Sequence, residues 1–542
     1  MKFNKYILFT LAGLSFCACD DFDEITAQGD GITKAQDMEA KGYSDERADA
    51  SFNGMFTMMG KRKIVFPSSS RADDFGFIAM AISQDAEAAD FVYPNSGYNW
   101  FSVCGQLTSR TPSYANPFIR YSMPYQQIKV ANDIIASYPE EVTDSVAINH
   151  IAQARAIRAF DYMSLAPYFQ FSYAAGAKEE PCVPLVTTET KDFANNPRVK
   201  VETIYKTVIE DLTWAIEHLD SKRKSKMYIN KNVALGLRAR AYLATEQWAL
   251  AAADAKAARQ DLTPASIADV STPSFYNIED KNWIWGYDMT PEVSGSEYAT
   301  WPSWLGSFSA NAYSCGAQVY AQINKILYDK IDDTDVRKGW WVDANLHSPL
   351  LKSVTWAGVS GDAISTLEIK DVKEAYLPYT NVKFGAFKYP TETNEEDFPF
   401  MRVEEMILIE VEGLAKSGKE AEAKTLLEDF VKTYRNPSYV IPNASVRSFA
   451  DEIWFQRRIE LWGEGFGWSD IMRLNKPLVR FHKGAESNCP DAYRFNLPAK
   501  DPWMLMRFPQ DETNYNMGII NNTGGSAPTP ELNPELKDGV TD

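Results

Sequence analysis

Between Val201 and Leu219, the residues Ile204, Tyr205, Val208, Leu212, Ala215, Ile216 and Leu219 recur at spacings of three and four. That spacing lines them along one side of a 3.6-residue turn, which predicts an amphipathic helix with one face against a core. The same rhythm runs through Ala152 to Phe169, Val233 to Leu243 and Trp248 to Ala258. It returns at Val403, Met406, Ile407, Val411 and Leu414, where Gly418 ends one helix before Glu420 to Val431 forms the next. Helices joined by connections this short must pack as neighbours, so the expected fold class is mainly α.

These pairs have degenerate tetratricopeptide-like character. In that repeat small residues let paired helices approach closely and an aromatic wedges between them. Ala239 and Tyr242 are followed by Ala251, Ala255 and Ala258 at the repeat's spacing; Ala159 with Tyr162, and Gly418 with Ala423, echo parts of it. No strict 34-residue period holds, so residues 46–522 read as one helical domain with irregular repeats. Residues 262–400 break the pattern. Pro, Gly, Ser and Asn recur there, and only Trp283–Tyr287 and Lys383–Tyr389 read as short strands, giving a loop-rich insert on a helical frame. Residues 523–542 read as a loose C-terminal tail.

The N-terminus reads as a targeting segment. Lys2 and Lys5 precede an apolar run from Tyr6 to Phe16, so residues 1–18 are expected to be a secretory leader. The run is shorter than the roughly 20 residues that span a bilayer. Cleavage after Ala18 would leave Cys19 as the first mature residue, ready for acylation as in a bacterial lipoprotein, although Phe16 and Cys17 stand where Leu and a small residue are more usual. Residues 19–45 form an acidic tether. A zinc site built on Cys17 and Cys19 would need four ligands, and His150, His218, His347 and His482 are scattered without ligand spacing. Cys104, Cys182, Cys315 and Cys489 allow three disulfide pairings; buried free thiols are the preferred reading. A net charge of −18 repels phosphate backbones, which argues against a nucleic-acid partner.

Aromatic placement points to a ligand class. Seven of the 14 tryptophans lie between Trp283 and Trp356, in the least helical part of the chain. Sugars dock their C–H faces on flat aromatic rings, with polar groups at the edges, and such platforms sit on loops held by a rigid frame. Trp301 and Trp304, in "YATWPSWLGS", are the leading platform candidates; Trp283 and Tyr313 join them. Trp283 and Trp285 alternate as on a strand, with one face expected against the core. The enzyme alternative lacks a signature: there is no G-x-S-x-G, P-loop or H-E-x-x-H, and among 73 acids a glycosidase-like pair means little. Asp332, Asp333 and Asp335 lack the glycine and terminal glutamate of an EF-hand and read as a solvated turn, so no metal and no cofactor are expected. A helical adaptor for protein partners is a third reading.

Five stretches together resemble the SusD/RagB family of outer-membrane nutrient-binding lipoproteins. Cys19 followed by Asp20, Asp21, Asp23 and Glu24 resembles its lipidation site and acidic export signal. "QARAIRAFDYMSLAPYFQFSY" leading to Val183–Thr187, and "MRVEEMILIEVEGLAKSG" (Met401–Gly418), resemble two helical signatures. "QRRIELWGEGFGWSDIMRLNKP" (Gln456–Pro477) resembles the family's Arg-Arg-x-Glu-Leu … Asp-x-x-Arg pattern, and "FPQDETNYNMG" its closing Pro-x-x-Glu-x-x-x-Asn motif. The resemblance implies a SusD-like α superhelix that binds a glycan, or a peptide or other nutrient oligomer, and hands it to a SusC-like TonB-dependent transporter. It also implies an acylated Cys19 in the outer membrane, facing the exterior. Family members place ligand-contacting aromatics in loops comparable to "NSGYNW", which adds Tyr98, Asn99 and Trp100 to the candidates. In the strongest motif the charges must pair if buried. Helix spacing predicts Glu460 with Arg457 and Asp470 with Arg473, locking the C-terminal helices to the frame; Glu464 with Asp470 as a catalytic pair is the sharper alternative.

Overall fold

The chain is mainly α, as the periodicity predicts. The structure is a computed structural model that describes residues 45–542, apart from 70, 95–99, 140, 295–299, 310–319, 357–358, 361–375, 390 and 392. The frame comprises α1 (Asp45–Thr57), α2 (Gly76–Glu87), α3 (Trp100–Gly105), α4 (Ala115–Ala136), α5 (Ser145–Phe169), α6 (Val201–His218), α7 (Lys231–Ala244) and α8 (Trp248–Ala258). After the insert come α10 (Val403–Lys416), α11 (Glu420–Tyr434), α12 (Phe449–Glu460) and α13 (Gly467–Arg473), while α9 (Trp301–Trp304) is a single turn inside it. Among the described residues no helix is long and apolar enough to cross a membrane.

Local chemistry sets the helix ends. The Asp144 carboxylate accepts from the Ala147 N–H at 2.8 Å, and Asn230 and Ser448 cap α7 and α12 in the same way. The predicted stripe of α6 is its buried face. Consecutive helices α4 to α8 pack in sequence, and α10 lies against both α8 and α11. The α7–α8 and α10–α11 hairpins turn alike: Glu246 (φ +61°) and Gly418 (φ +87°) each take the left-handed conformation. At Gly413 a Cβ would stand 2.5 Å from the Trp248 carbonyl, so glycine permits the α10–α8 approach.

Three expectations need correction. Trp283–Tyr287 is a strand (β1), antiparallel to Phe398–Arg402 (β2), yet all five of its residues are buried rather than one face, because it runs through the main hydrophobic core. Lys383–Tyr389 is not a strand; its neighbourhood makes isolated bridges such as Ser274 with Phe384. The loose-tail expectation for 523–542 fails at the end of the chain. Asp538 and Val540 are buried, and the Asp538 carboxylate accepts from Arg458 at 2.6 Å. A buried arginine needs a partner, and this end of the chain supplies one. Cys104, Cys182 and Cys489 are buried free thiols; Cys315 lies outside the described residues, as do the leader and tether.

The Arg-Arg-x-Glu motif is the electrostatic centre of the frame. Glu460 accepts from Arg435 at 2.8 Å and 2.8 Å and from Arg337 and Arg402 at 3.3 Å each. All four side chains have 0% exposure. Burial alone would raise the Glu460 pKa; Arg435, Arg402 and Arg337 overcome it and hold the carboxyl well below the usual range. The expected pair of Glu460 with Arg457 is therefore not made. Arg457 instead grips Asp470 at 2.8 and 3.1 Å, across to α13. The Asp470–Arg473 pair is made at 2.7 Å, and Arg473 also holds Glu412 on α10 at 2.8 and 2.8 Å. The motif does lock the last helices to the frame, through partners far apart in sequence.

Candidate functional site

The two loops singled out by sequence reasoning flank elements that touch. Tyr93, just ahead of residues 95–99, donates its hydroxyl to the Trp304 carbonyl at 3.0 Å. Phe101 on α3 meets the Trp304 ring edge-on at 5.1 Å. Trp100 and Trp304 thus lie on neighbouring short helices. The Trp301 indole N–H donates to the Glu396 carbonyl at 2.6 Å, and its ring packs on Phe384 and Phe398.

That packing overturns part of the proposed platform. Trp283, Trp301 and Trp304 are 1%, 0% and 0% exposed, and a ring with no open face offers a sugar nothing to stack on. Trp340 and Trp341 are buried as well, and all five tryptophans pack into the main hydrophobic core. Tyr98, Asn99 and Tyr313 lie outside the described residues. Trp100 alone among the named aromatics is described and partly open.

Trp100 heads a ladder. The Arg71 guanidinium lies 4.4 Å from the Trp100 ring and 5.2 Å from Phe66, and Phe66 meets Phe118 at 5.4 Å. Asp73 fixes Arg71 with two hydrogen bonds of 3.0 Å each. All four ladder residues are half-buried. Tyr114, one helical turn before Phe118, is 50% exposed. The arrangement offers flat apolar faces beside guanidinium N–H donors, the two features that a sugar's C–H faces and hydroxyls require. Arg71, Phe66 and Phe118 escaped sequence reasoning. The only local signal was Arg71 two residues from Asp73, too common a spacing to stand out.

Below the ladder, α2 is held to the C-terminal motif by Asp85. Its carboxyl accepts from the Gly465 and Gly467 N–H groups at 2.9 and 2.8 Å. Burial, only partly offset by those two bonds, pushes its pKa up to about 7. A carboxyl raised this way favours the fold most below its unfolded pKa near 3.9 and loses that contribution as pH rises through about 7. Wild type minus Asp85→Asn should therefore show stability falling between pH 4.5 and 7.5, by on the order of 2–4 kcal/mol. Thermal unfolding across that range checks this; parallel curves would refute it.

The two carboxylates of the sharper alternative are already engaged. Glu464 is bound by Lys383 at 2.7 Å and Arg402 at 2.8 Å. Although burial alone would raise it, Asp470 is kept below the ordinary carboxylate range by Arg457 and Arg473. Both carboxylates are thus spent on ion pairs within the frame. Asp332, Asp333 and Asp335 hold Thr334, Lys338 and Arg337.

Comparison with known proteins adds a consistent picture. A family model described as "SusD family" matches residues 295–530, and one described as "Starch-binding associating with outer membrane" matches residues 76–243. A SusD-like carbohydrate binding protein from Bacteroides vulgatus has the same fold at TM-score 0.70 and 23% identity, covering 89% of this chain and 98% of its own. A SusD superfamily protein from Bacteroides vulgatus aligns at TM-score 0.70 and 17% identity, covering 88% and 98%. Another, from Bacteroides thetaiotaomicron, aligns at TM-score 0.63 and 17% identity, covering 88% and 99%. No curated protein matches.

Proposed function

Since the chain belongs to the SusD/RagB family, we propose that it is a glycan-binding protein of the outer membrane that captures oligosaccharide without altering it and passes it to a SusC-like TonB-dependent transporter. The Trp100–Arg71–Phe66–Phe118 ladder carries this reading. It is a partly open, electrostatically pinned aromatic surface whose Trp100 follows Tyr98 and Asn99 directly in sequence. Those two residues, with Tyr313, complete the proposed ligand contacts. Cys19 is the proposed acyl anchor, holding the acidic body at the outer face of the membrane. The engaged state of Glu464 and Asp470 supports binding over hydrolysis.

Trp100→Ala should weaken retention in polysaccharide-containing native gels by about tenfold or more, the equivalent of ~1.4 kcal/mol, with the melting temperature nearly unchanged. Unaltered retention would remove the ladder from the site. A Cys19→Ala variant that still takes up labelled palmitate would remove the anchor.

A second surface supports the transporter part. Phe193, Tyr515, Met517 and Ile520 are 60%, 79%, 86% and 82% exposed. They lie on two segments joined by the Met517 N–H to the Ala194 carbonyl at 2.8 Å and by Asn516, which bonds Asn196 in both directions. Clustered apolar side chains in water mark interaction surfaces. The proposed partner there is the transporter, and co-purification with the Met517→Asp variant tests it.

A further inference from the structure

The aromatic ladder stands in a basic patch of an acidic protein. Residues 58–74 and 95–118 supply all four of its side chains. These stretches hold two acids, Asp73 and Asp74, against five bases, in a chain of net charge −18. Both acids are engaged inside the fold. Asp73 is 4% exposed and takes Arg71 along its Nε and Nη2 edge. Asp74 is 1% exposed and accepts from the Val65 and Phe66 N–H groups at 3.1 and 2.8 Å. The Asp74 carbonyl accepts from the Lys63 N–H at 3.0 Å, which holds Lys63 at φ +59° on the loop leading to Phe66.

Several of the cations are left open. Arg71 Nη1 makes no hydrogen bond among the described residues and is not sealed from solvent, so its two N–H donors stay available beside the Trp100 and Phe66 rings. Lys61 and Lys63 are exposed and make no ion pair among the described residues. Of the five bases only Arg110 is buried, where Glu87 holds it at 2.5 Å. The acids on the rest of the body do not cancel this patch, because physiological salt screens charges beyond about 8 Å. An open guanidinium donor beside unpaired ammonium groups selects an anionic acceptor, whose hydrogen bonds are about twice as strong as a neutral one's.

We propose that the ladder takes an acidic glycan, one whose sugars carry carboxylate or sulfate groups. A sugar face lies on the open aromatic surface while its acid group accepts from Arg71 Nη1, and Lys61 and Lys63 meet the next acid groups along the glycan. This rests on the ladder being the glycan surface proposed above, and it narrows that surface to one substrate class.

The test is calorimetry with the full-length protein against two matched pairs: polygalacturonate with its methyl ester, and dextran sulfate with dextran. At least one polyanion should bind about tenfold or more tightly than its neutral counterpart, the effect of one charge-assisted hydrogen bond. That advantage should vanish in about 1 M salt, where screening sets in within about 3 Å. The pair that responds tells carboxylate from sulfate. The Lys61→Gln/Lys63→Gln double variant should bind the same polyanion about fivefold more weakly, with an unchanged melting temperature because neither lysine has an ion-pair partner in the fold. A neutral counterpart bound as tightly as its polyanion would overturn the proposal, as would polyanion binding that survives Trp100→Ala. Failure of both polyanions, with a neutral polysaccharide retained through Trp100, would sink the acidic class and leave glycan capture standing. Binding of no polysaccharide at all would sink glycan capture itself.

Discussion

Glu460→Ala should leave the protein unfolded or nearly so, the largest effect of any single substitution considered. The carboxylate is the shared partner of Arg337, Arg402 and Arg435, and none of the four side chains reaches water. Whether such a cluster stabilises relative to an apolar core is not the point; removing one member strands the others. Breaking a single buried pair costs about 3–5 kcal/mol, and total domain stability is only about 5–15 kcal/mol. Here the loss removes a shared partner of three guanidiniums, although Arg402 keeps Glu464 and Glu404, Arg337 keeps Asp335, and Arg435 keeps Glu404. The expected readout is an urea midpoint too low to measure, or a destabilisation of at least about 4 kcal/mol. Glu460→Gln keeps the shape and should fall between the two. A variant within about 1 kcal/mol of wild type would show that the network does not hold the frame.

Asp538→Ala should cost about 3 kcal/mol by the same logic, although it lies only four residues from the chain's last residue. Arg458 is nearly inaccessible and divides its guanidinium between Asp90 at 2.6 and 2.8 Å and Asp538 at 2.6 Å. Asp538 also accepts from the Val540 and Thr541 N–H groups at 2.8 and 2.7 Å, which seats Val540 against the core. Losing the aspartate frees the whole turn. Chemical denaturation measures it, and an unchanged midpoint would restore the loose-tail reading.

These two residues also mark where sequence reasoning stops. The helices were legible because a stripe of apolar residues at 3.6-residue spacing has one solution, and the α7–α8 and α10–α11 hairpins appear where their periodicity places them. The neighbour rule found Asp470 with Arg473, three apart on one helix. It assigned Glu460 the wrong partner, because Arg337, Arg402 and Arg435 come from three other segments and no local spacing encodes them. The tail misled through composition: polar residues dominate 523–542, yet one aspartate and one valine suffice to dock its end. In the insert, the tryptophan cluster signalled a real aromatic core. A ring on an aperiodic segment carries no sequence mark of which face meets protein, so Trp301 and Trp304 looked like a platform and are packing. Trp100 is only half-buried, and Arg71 lies over its ring, a contact between residues 29 positions apart.

The ladder is proposed to capture glycan without chemistry. Titrating the wild-type protein and Trp100→Ala by calorimetry against a panel of soluble polysaccharides, with the sugars analysed for chain length afterwards, tests it directly. At least one glycan should bind the wild type, the variant should bind it about tenfold or more weakly, and chain length should be unchanged. Binding of none, or shortening of any bound glycan, would contradict it.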